Sequence, residues 1–240
     1  MQLKAINQIT GKIVLVTGLH IGAGNEEVHI GGIDNGVIKH PHTQQPYIPG
    51  SSLKGKMRSL LEWRSGVVGE SKGKPVSISL LNELSGNKKH LAEIIIRLFG
   101  TAGDSKNDTQ AEAIGITRLS FWDCSLSTEW LEKVEKNNWL YTEAKSENTI
   151  NRITGTADNP RQTERVPAEA VFDFKLGMKI VEDSEQSFVE TVLAGLKLLE
   201  LDGIGGSGSR GYGKIKFVDL KLNGEDLQTR LEVIDPFKVA

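Results

Sequence analysis

One aspartate stands out as a residue that could do chemistry: Asp34, in the glycine-flanked loop GGIDNG. An aspartate in such a turn commonly bonds its own backbone. An exposed loop carboxylate can instead hold a divalent cation or orient a hydroxyl for phosphoryl chemistry. The residue types around Asp34 leave both interpretations open.

Histidines crowd the same stretch of chain without forming a recognisable metal motif. His20, His29, His40 and His42 all lie between residues 20 and 50, yet their spacing matches no zinc site, and Pro41 separates the last two. The single cysteine, Cys124, excludes an internal disulfide and a multi-cysteine zinc site, and it fits a reducing compartment. We therefore expect no zinc and a cytoplasmic protein.

A second candidate site is the basic start of a predicted helix in SSLKGKMRSLLEW, residues 51–63. Ser51 or Ser52 is the expected N-cap. Cations occupy the first two turns, where acidic residues are the usual choice because the helix N-terminus is already partly positive. Either an anion binds there or the basic side chains lie in solvent. The cations are Lys54, Lys56 and Arg58.

A third candidate is the polar segment ENTINRITGTADNPRQTERVP, residues 147–167. Its few apolar residues predict a segment that projects from the domain, either as a mobile surface loop or ordered against a partner. Arginine suits phosphate and stacked-base contacts because its planar fork can bind bidentately. The arginines are Arg152, Arg161 and Arg165.

The fourth candidate is GIGGSGSRGYGKI, residues 203–215, which carries six glycines in its first eleven positions. Glycine is costly inside regular structure, so the loop must meet another demand. Either several residues adopt left-handed conformations, or another backbone or a phosphate comes too close for a β-carbon. The sequence does not separate these possibilities.

Composition limits the class of protein that carries these sites. The net charge of −2 argues against a uniformly basic surface. No run of about 18 apolar residues exists to span a membrane, and the first ten residues lack the apolar core of a signal peptide. We expect one decorated domain rather than two.

The elements that must position the candidate sites follow from hydrophobic periodicity. AVFDFKLGMKI, residues 170–180, alternates apolar and polar residues as a half-buried strand does. The predicted order is β-α-β-β-α-β, an α+β ferredoxin-like or RRM-like core. Its elements are 8–18, 51–64, 115–126, 168–181, 184–202 and 213–222, with insertions at 19–50, 65–114 and 125–167.

Taken together, this order and four motifs resemble the RAMP superfamily of CRISPR proteins. The motifs are GGIDNGVIK, IPGSSLKGKMRSLLE, NRITGTADNPRQTERVP and GGSGSRGYGKI. The likeness covers nearly the whole chain and is closest to the backbone subunits of type III-A (Csm) effector complexes. It implies a subunit that stacks head to tail with further copies along a crRNA, beside other subunits of the complex.

The resemblance implies RNA contacts at the second, third and fourth of these motifs. The helix start and the glycine-rich loop would lie against the crRNA backbone, reading phosphate and shape rather than sequence. Segment 147–167 resembles a thumb hairpin that wedges into the guide–target duplex. The implied RNA-binding residues are His20, Ser51, Ser52, Lys54, Lys56, Arg58, Arg152, Arg161, Arg165, Gly206, Gly208, Ser209, Arg210 and Gly211.

The resemblance also implies an endoribonuclease that cuts target RNA beside each thumb with Mg²⁺ or another divalent cation. Asp34 matches the catalytic aspartate and would either hold the metal or orient the attacking 2′-hydroxyl. One position departs from the family pattern, because Gly36 stands where a proline is expected after the Asp-Asn pair. That change leaves the path of the Asp34 loop less restricted.

Three other functions are compatible with parts of the sequence. A non-catalytic RNA-binding RAMP subunit would share the fold, but Asp34 argues against it. A crRNA-processing ribonuclease of the same superfamily would have no use for a thumb at 147–167. A nucleotide-binding enzyme is disfavoured because the glycine-rich loop precedes a strand and lacks phosphate-loop spacing.

Overall fold

The computed structural model describes residues 2–24, 35–101 and 108–238 of the chain. The strands are β1 (Ala5–Leu15), β2 (Tyr47–Ile48), β3 (Leu119–Phe121), β4 (Cys124–Ser125), β5 (Glu143–Ile150), β6 (Ala157–Arg165), β7 (Val171–Ile180), β8 (Ile215–Leu222) and β9 (Glu225–Asp226). The helices are α1 (Gly50–Ser65), α2 (Ile78–Leu81), α3 (Gly86–Phe99), α4 (Asp108–Ile114), α5 (Thr128–Lys136), α6 (Phe188–Asp202) and α7 (Gln228–Val233).

An antiparallel sheet in the order β3-β7-β1-β8-β9 forms the centre of this α+β fold. The long central pair runs from Ala5 opposite Ile180 to Val14 opposite Val171. Alternation along β7 buries Phe172 and its same-face neighbours, as the sequence pattern predicts. One face of the sheet is therefore apolar and needs a covering layer.

Helices α1 and α6 supply that layer and pack against each other. Leu53, Met57 and Leu61 lie on the buried side of α1. The Met57 side chain sits directly over Gly195 of α6, where a β-carbon would overlap it. This close approach explains a glycine in the middle of an otherwise apolar helix.

The second predicted strand is divided in the structure. Residues 115–126 form β3, which pairs with β7 in the main sheet, and β4, which pairs with β2 in a small separate sheet. The break falls at Trp122 and Asp123. The Trp122 side chain is about half exposed, and the Lys175 ammonium lies 4.1 Å from its ring centroid.

The second long helix also begins later than the sequence predicts. Residues Asp183–Ser187 form a 3₁₀ turn, and α6 starts at Phe188. The capping box expected from Ser187 and Glu190 is instead made by Glu182 and Glu185 at the start of that turn. The Glu185 carboxylate is buried and accepts hydrogen bonds from Arg118, which is also fully buried.

Insertion 65–114 carries a second small apolar cluster built on α3. Arg58 ties it to the core, because its guanidinium bonds Glu62 in α1 and the Val76 carbonyl oxygen in the insertion. Within the three described ranges, the helices are all too short or too polar to cross a membrane.

Strands β5 and β6 form a two-stranded hairpin apart from the main sheet. Its outer residues are exposed, and the Ile153 side chain at its turn is 96% accessible to solvent. Only the root is buried, at Thr163 and Glu164 of β6. The hairpin thus leaves the body of the protein at one defined point, within the segment expected to project.

Candidate nucleic-acid interface

Helix α1 begins at Gly50, so both predicted N-caps, Ser51 and Ser52, lie inside the helix. Pro49 is the capping residue, and neither Ser51 nor Ser52 caps the helix with its side chain. The Asp123 carboxylate instead accepts the Gly50 N–H at 2.8 Å. A carboxylate from the β3–β4 turn thereby takes up one of the free helix N–H groups and part of the positive helix dipole.

The three cations of α1 lie in different environments. Lys54 is half-buried, and no hydrogen bond or ion pair to it exists among the described residues. The Lys56 ammonium lies 2.5 Å from the Asp202 carboxylate at the end of α6. Arg58 is largely buried and bonds Glu62 and the Val76 carbonyl oxygen. Lys54 is therefore the cation with free binding capacity, whereas Arg58 already has a structural role.

Most of the glycine-rich loop is explained by contacts within the protein. Gly203, Gly205 and Gly213 have φ angles of +94°, +73° and +68°, which disfavour any side chain. A β-carbon at Gly213 would overlap the Ile204 carbonyl oxygen, and one at Gly205 would overlap the His20 carbonyl oxygen. These glycines let the loop fold against itself and against residues 18–21.

The outer part of the loop is different. Gly208–Arg210 form one 3₁₀ turn, and Gly206, Gly208, Ser209, Arg210 and Gly211 are all exposed. A β-carbon at Gly208 would have nothing within 4 Å, and its φ is not in the left-handed region. Contacts within the described protein therefore do not explain the glycine at 208.

Arg210 is held over the root of the hairpin by Glu147. Its guanidinium lies 2.6 Å from the Glu147 carboxylate, whose other oxygen accepts the buried Tyr212 hydroxyl at 2.8 Å. Lys145 and Arg165 lie over the Tyr212 ring, at 4.5 and 5.1 Å from its centroid. The Tyr212 hydrogen bond, with the nearby cations, lowers the pKa of Glu147. A carboxylate thus occupies the centre of a basic cluster.

Of the hairpin arginines, Arg165 is at the root and the other two lie further out. The Arg165 Nε donates to Glu143 across the hairpin at 2.6 Å. Arg152 bonds the Ile150 carbonyl oxygen near the turn, and Arg161 is exposed on β6. The hairpin therefore presents two exposed arginines, and the third stabilises its base.

His20 joins three of the candidate segments. Its ring Nδ1 lies 2.7 Å from the Glu164 carbonyl oxygen, which can only accept, so this nitrogen carries the proton. Its own carbonyl oxygen accepts the Gly206 N–H at 2.9 Å. The first insertion, the hairpin root and the glycine-rich loop meet at this residue.

Glu164 extends the same contact to the segment that follows Asp34. Its N–H donates to the Asn35 carbonyl oxygen at 3.0 Å, and its carboxylate accepts the Val37 N–H at 2.9 Å. The same carboxylate accepts from the Lys39 ammonium at 2.5 Å and the Thr142 hydroxyl at 2.6 Å. We call this meeting point the junction, comprising His20, residues 35–39, Thr142, Glu164 and Gly206.

The junction carboxylate is ionised despite its burial. Glu164 is only 6% accessible, and burial alone would raise its pKa. The hydrogen bonds from Lys39, Thr142 and Val37 outweigh that effect, so the pKa is lowered. Both oxygens are already occupied, so the role of Glu164 is to hold the surrounding segments rather than to bind a ligand.

Asp34, the predicted catalytic residue and possible metal ligand, lies outside the described residues. Asn35, the next residue, forms a parallel bridge with Thr163 at the hairpin root. In the described part of the chain, no group of three or more histidine, cysteine or acidic side chains is placed to hold a metal ion. Burial raises the pKa of the Cys124 thiol to about 12, so this cysteine is not a nucleophile.

Sequence reasoning missed Asp123, Glu147 and Glu164, the carboxylates that organise the candidate site. Each acts on a partner more than 60 residues away in sequence. One structural feature singles out Glu164, because it forms with Thr163 a buried polar pair at the end of a hairpin strand that is otherwise exposed. Burial is known only from the structure, so the sequence alone does not show this feature.

Comparisons with known proteins agree with the resemblance. The sequence profile described as RAMP superfamily matches residues 12–216. A Streptococcus thermophilus protein named CRISPR system Cms endoribonuclease Csm3 is 43% identical over 219 residues, 89% of this chain and 88% of the relative. The protein of the same name from Enterococcus italicus is 41% identical over 214 residues, 88% and 89% of the two chains.

Solved structures agree as well. A chain of the Csm3–Csm4 subcomplex of the type III-A CRISPR-Cas interference complex matches with a TM-score of 0.54 and 28% identity, over 92% of this chain and 80% of that one. The Methanopyrus kandleri Csm3 crystal structure matches with a TM-score of 0.56 and 25% identity, over 88% and 75%. With the profile covering most of its length and relatives above 40% identity, the chain belongs to the RAMP superfamily.

Proposed function

We propose that this chain is a crRNA-binding backbone subunit of a type III-A CRISPR effector complex and cleaves complementary target RNA at regular intervals. Its relatives carry the name endoribonuclease. The observation that carries the proposal is the junction. It joins residues 35–39, which follow Asp34 and which we call the stem, to the root of the hairpin and to the glycine-rich loop. A subunit that cuts RNA beside a wedging hairpin must hold these three segments in fixed positions relative to one another.

The chain forms a single RAMP domain with a ferredoxin-like core. The strand order β3-β7-β1-β8, with α1 and α6 packed together over the sheet, supports this assignment. The insertions and the hairpin are decorations of that core. Further copies bind head to tail along the guide in the cytoplasm, beside other subunits of the complex.

The guide lies across the start of α1 and the outer turn of the glycine-rich loop. Lys54 offers an ammonium without a partner in the described part of the chain, Ser51 an exposed hydroxyl, and Gly208 an open backbone. These groups contact phosphate and sugar, so the guide can carry any sequence. His20, Ser52, Lys56, Arg58, Gly206, Ser209 and Gly211 belong to the same path, with His20 and Arg58 acting mainly through the protein contacts described above.

The hairpin is the thumb that enters the guide–target duplex. Its turn presents the apolar Ile153 side chain, which is 96% accessible, and Arg152 and Arg161 contact the RNA backbone on either side. An apolar wedge flanked by cations can displace a base pair while holding the strands. One displaced nucleotide for each subunit accounts for cleavage at regular intervals.

Asp34 acts at the displaced nucleotide. The 2′-oxygen of that nucleotide forms a bond to the adjacent phosphorus, and the bond from this phosphorus to the 5′-oxygen of the next nucleotide breaks. Asp34 orients the 2′-hydroxyl, whose proton passes to solvent water, and solvent protonates the leaving 5′-oxygen. The products carry a 2′,3′-cyclic phosphate and a 5′-hydroxyl.

A divalent cation, Mg²⁺ or a similar ion, would supply positive charge at the cleaved phosphate. Asp34 is the residue that would hold it, together with oxygens of the RNA. Glu164 does not fit as a ligand, because its two oxygens already accept hydrogen bonds from Lys39, Thr142 and Val37.

The test is a denaturing gel of labelled complementary target RNA incubated with the reconstituted complex and Mg²⁺. The native chain should give regularly spaced products, and Asp34→Ala should give none while still binding target. Asp173→Ala, at an exposed aspartate of β7, is the control and should cut normally. No products from the native chain would leave a guide-binding scaffold, and products from Asp34→Ala would move catalysis to another residue.

A further inference from the structure

Glu164 has an unusual combination of burial and contacts for a residue of an exposed hairpin. Its side chain is 7% accessible, whereas most of β6 is exposed. Its carboxylate accepts three hydrogen bonds, from Val37, Lys39 and Thr142, at 2.5 to 2.9 Å. Its main chain contacts Asn35 and His20. Glu164 therefore attaches the hairpin root to the first insertion and to the junction histidine.

These contacts alternate along the stem that follows Asp34. Glu164 holds the carbonyl oxygen of Asn35, the N–H of Val37 and the ammonium of Lys39. Every second residue of this short segment is therefore attached to the same residue of β6. The stem has a defined position relative to the hairpin because two of the three contacts use the stem backbone.

The local sequence makes such an attachment necessary. Gly36 stands between two of the held residues, and glycine leaves the backbone freer than any other residue does. A defined path through Gly36 must therefore come from tertiary contacts. Val37 is buried and its N–H is fixed by Glu164, which supplies such a contact from the hairpin side.

We propose that Glu164 is a positioning residue for RNA cleavage, which sets the Asp34 loop in register with the thumb hairpin. This inference rests on the proposed function. Glu164 touches neither RNA nor metal and acts by holding residues 35–39 and Thr142 on one carboxylate. Lys39 is its partner in this role, because its ammonium neutralises the buried charge.

The consequence is a separation between binding and cleavage. The guide path over α1 and Gly208 does not include the junction carboxylate, so RNA binding should persist without it. Cleavage depends on the placing of Asp34, and a displacement of about 1 Å can reduce a rate by on the order of 100-fold. A residue with a purely structural role would instead affect binding and cleavage together.

The experiment compares reconstituted complexes that contain the native chain, Glu164→Gln, Lys39→Met and the double variant. Target affinity is measured by mobility shift without divalent cation, and cleavage by single-turnover rate with Mg²⁺ at saturating target. We expect Glu164→Gln to bind within about threefold of native and to cleave on the order of 10- to 100-fold more slowly. The double variant should be no slower than Glu164→Gln, because both changes remove one contact.

Glu185→Gln is the matched control. Glu185 is also a buried carboxylate that accepts from a cation and from backbone N–H groups, but it lies in the 3₁₀ turn Asp183–Ser187, and its partners Arg118, Val181 and Glu182 are not junction residues. Glu185→Gln should lower the free energy of unfolding about as much as Glu164→Gln does. Each assembled complex that contains Glu185→Gln should still cleave at the native rate. If Glu164→Gln fails to assemble, Lys39→Met still tests the same ion pair, because Lys39 is the more exposed of the two partners.

Three outcomes overturn the inference. They are native cleavage by both Glu164→Gln and Lys39→Met, equal losses of binding and cleavage in Glu164→Gln, and an equal slowing by Glu185→Gln. The native chain and Asp34→Ala are run beside these variants. Cleavage by Asp34→Ala would instead refute the proposed function, so the two failures are distinguishable.

Discussion

The junction and the start of α1 have opposite relations to their charges. At the junction, the Glu164 carboxylate and its partners Lys39, Thr142 and Val37 satisfy one another inside the protein. At the helix start, Lys54 has no partner among the described residues, and the open Gly55 lies beside it. The first region is complete without a ligand, whereas the second leaves one cation available, which the proposed function assigns to the guide.

The glycines of the 203–213 loop repeat this contrast over eleven residues. Gly205 and Gly213 are required by left-handed backbone and close protein contacts. Gly208 has an ordinary backbone conformation and open space around it. Gly205 and Gly213 set the geometry of the loop, and under the proposed function Gly208 marks where the guide comes close. Changes at the two kinds of position should therefore fail in different ways.

The largest expected effect is on folding, at Gly213. Gly213→Ala must adopt a φ of +68° and place its β-carbon onto the Ile204 carbonyl oxygen. The left-handed conformation and the overlap together should cost about 3 kcal/mol or more of unfolding free energy. Urea unfolding followed by circular dichroism measures this, with Gly208→Ala as control at less than about 1 kcal/mol. Equal midpoints for the two variants would contradict the distinction.

A smaller effect is expected on RNA affinity, at Lys54. Lys54→Glu should weaken guide binding about tenfold for every sequence and reduce the salt dependence by about one ion, as loss of a phosphate contact does. Filter binding at several salt concentrations measures both quantities. Lys89→Glu, at an exposed lysine of α3, is the charge-matched control. An equal loss from Lys89→Glu would mean that only net charge matters.

The smallest effect on the free protein is expected at Gly208. Gly208→Val should unfold within about 0.5 kcal/mol of native, because its side chain meets no protein atom. It should still impair assembly on guide RNA, since the new side chain fills the space that the backbone of the guide needs. Size-exclusion chromatography with guide RNA measures assembly. Gly69→Val, at another exposed glycine with open space, should assemble normally.

Native assembly by Gly208→Val would show that the open space at Gly208 faces solvent rather than RNA. The outer turn of the loop would then drop out of the guide path. Lys54 and the start of α1 would remain as the path, because their charge and exposure do not depend on the loop.

Local patterns predicted the elements whose residues alternate or repeat. Strand β7 and helix α1 follow from apolar spacing within ten to sixteen residues. The division of β3 from β4 did not, because it depends on which strands lie opposite, β7 for one and β2 for the other. Pairing partners 55 to 78 residues away leave no local signature.

The same limit applied to the candidate site. Segments rich in arginine or glycine were visible in the sequence, and Asp34 was identified by resemblance. The contacts that hold these segments together were not visible, since Glu164 reaches residues more than 120 positions away. Helix α1 shows the point on a small scale. Two serines predicted a cap, but a distant carboxylate, Asp123, takes the first N–H.

The hairpin is long and attached at one end, so it behaves as a lever. Eight residues of β5 extend about 27 Å from the root, and a rotation of about 10° there would carry the tip through roughly 5 Å. That displacement is larger than the stacking distance between neighbouring bases. The stiffness of a few hydrogen bonds at Glu164 and Glu147 therefore determines the position of Ile153 at the far end, and under the proposed function it selects the nucleotide of the duplex that Ile153 meets.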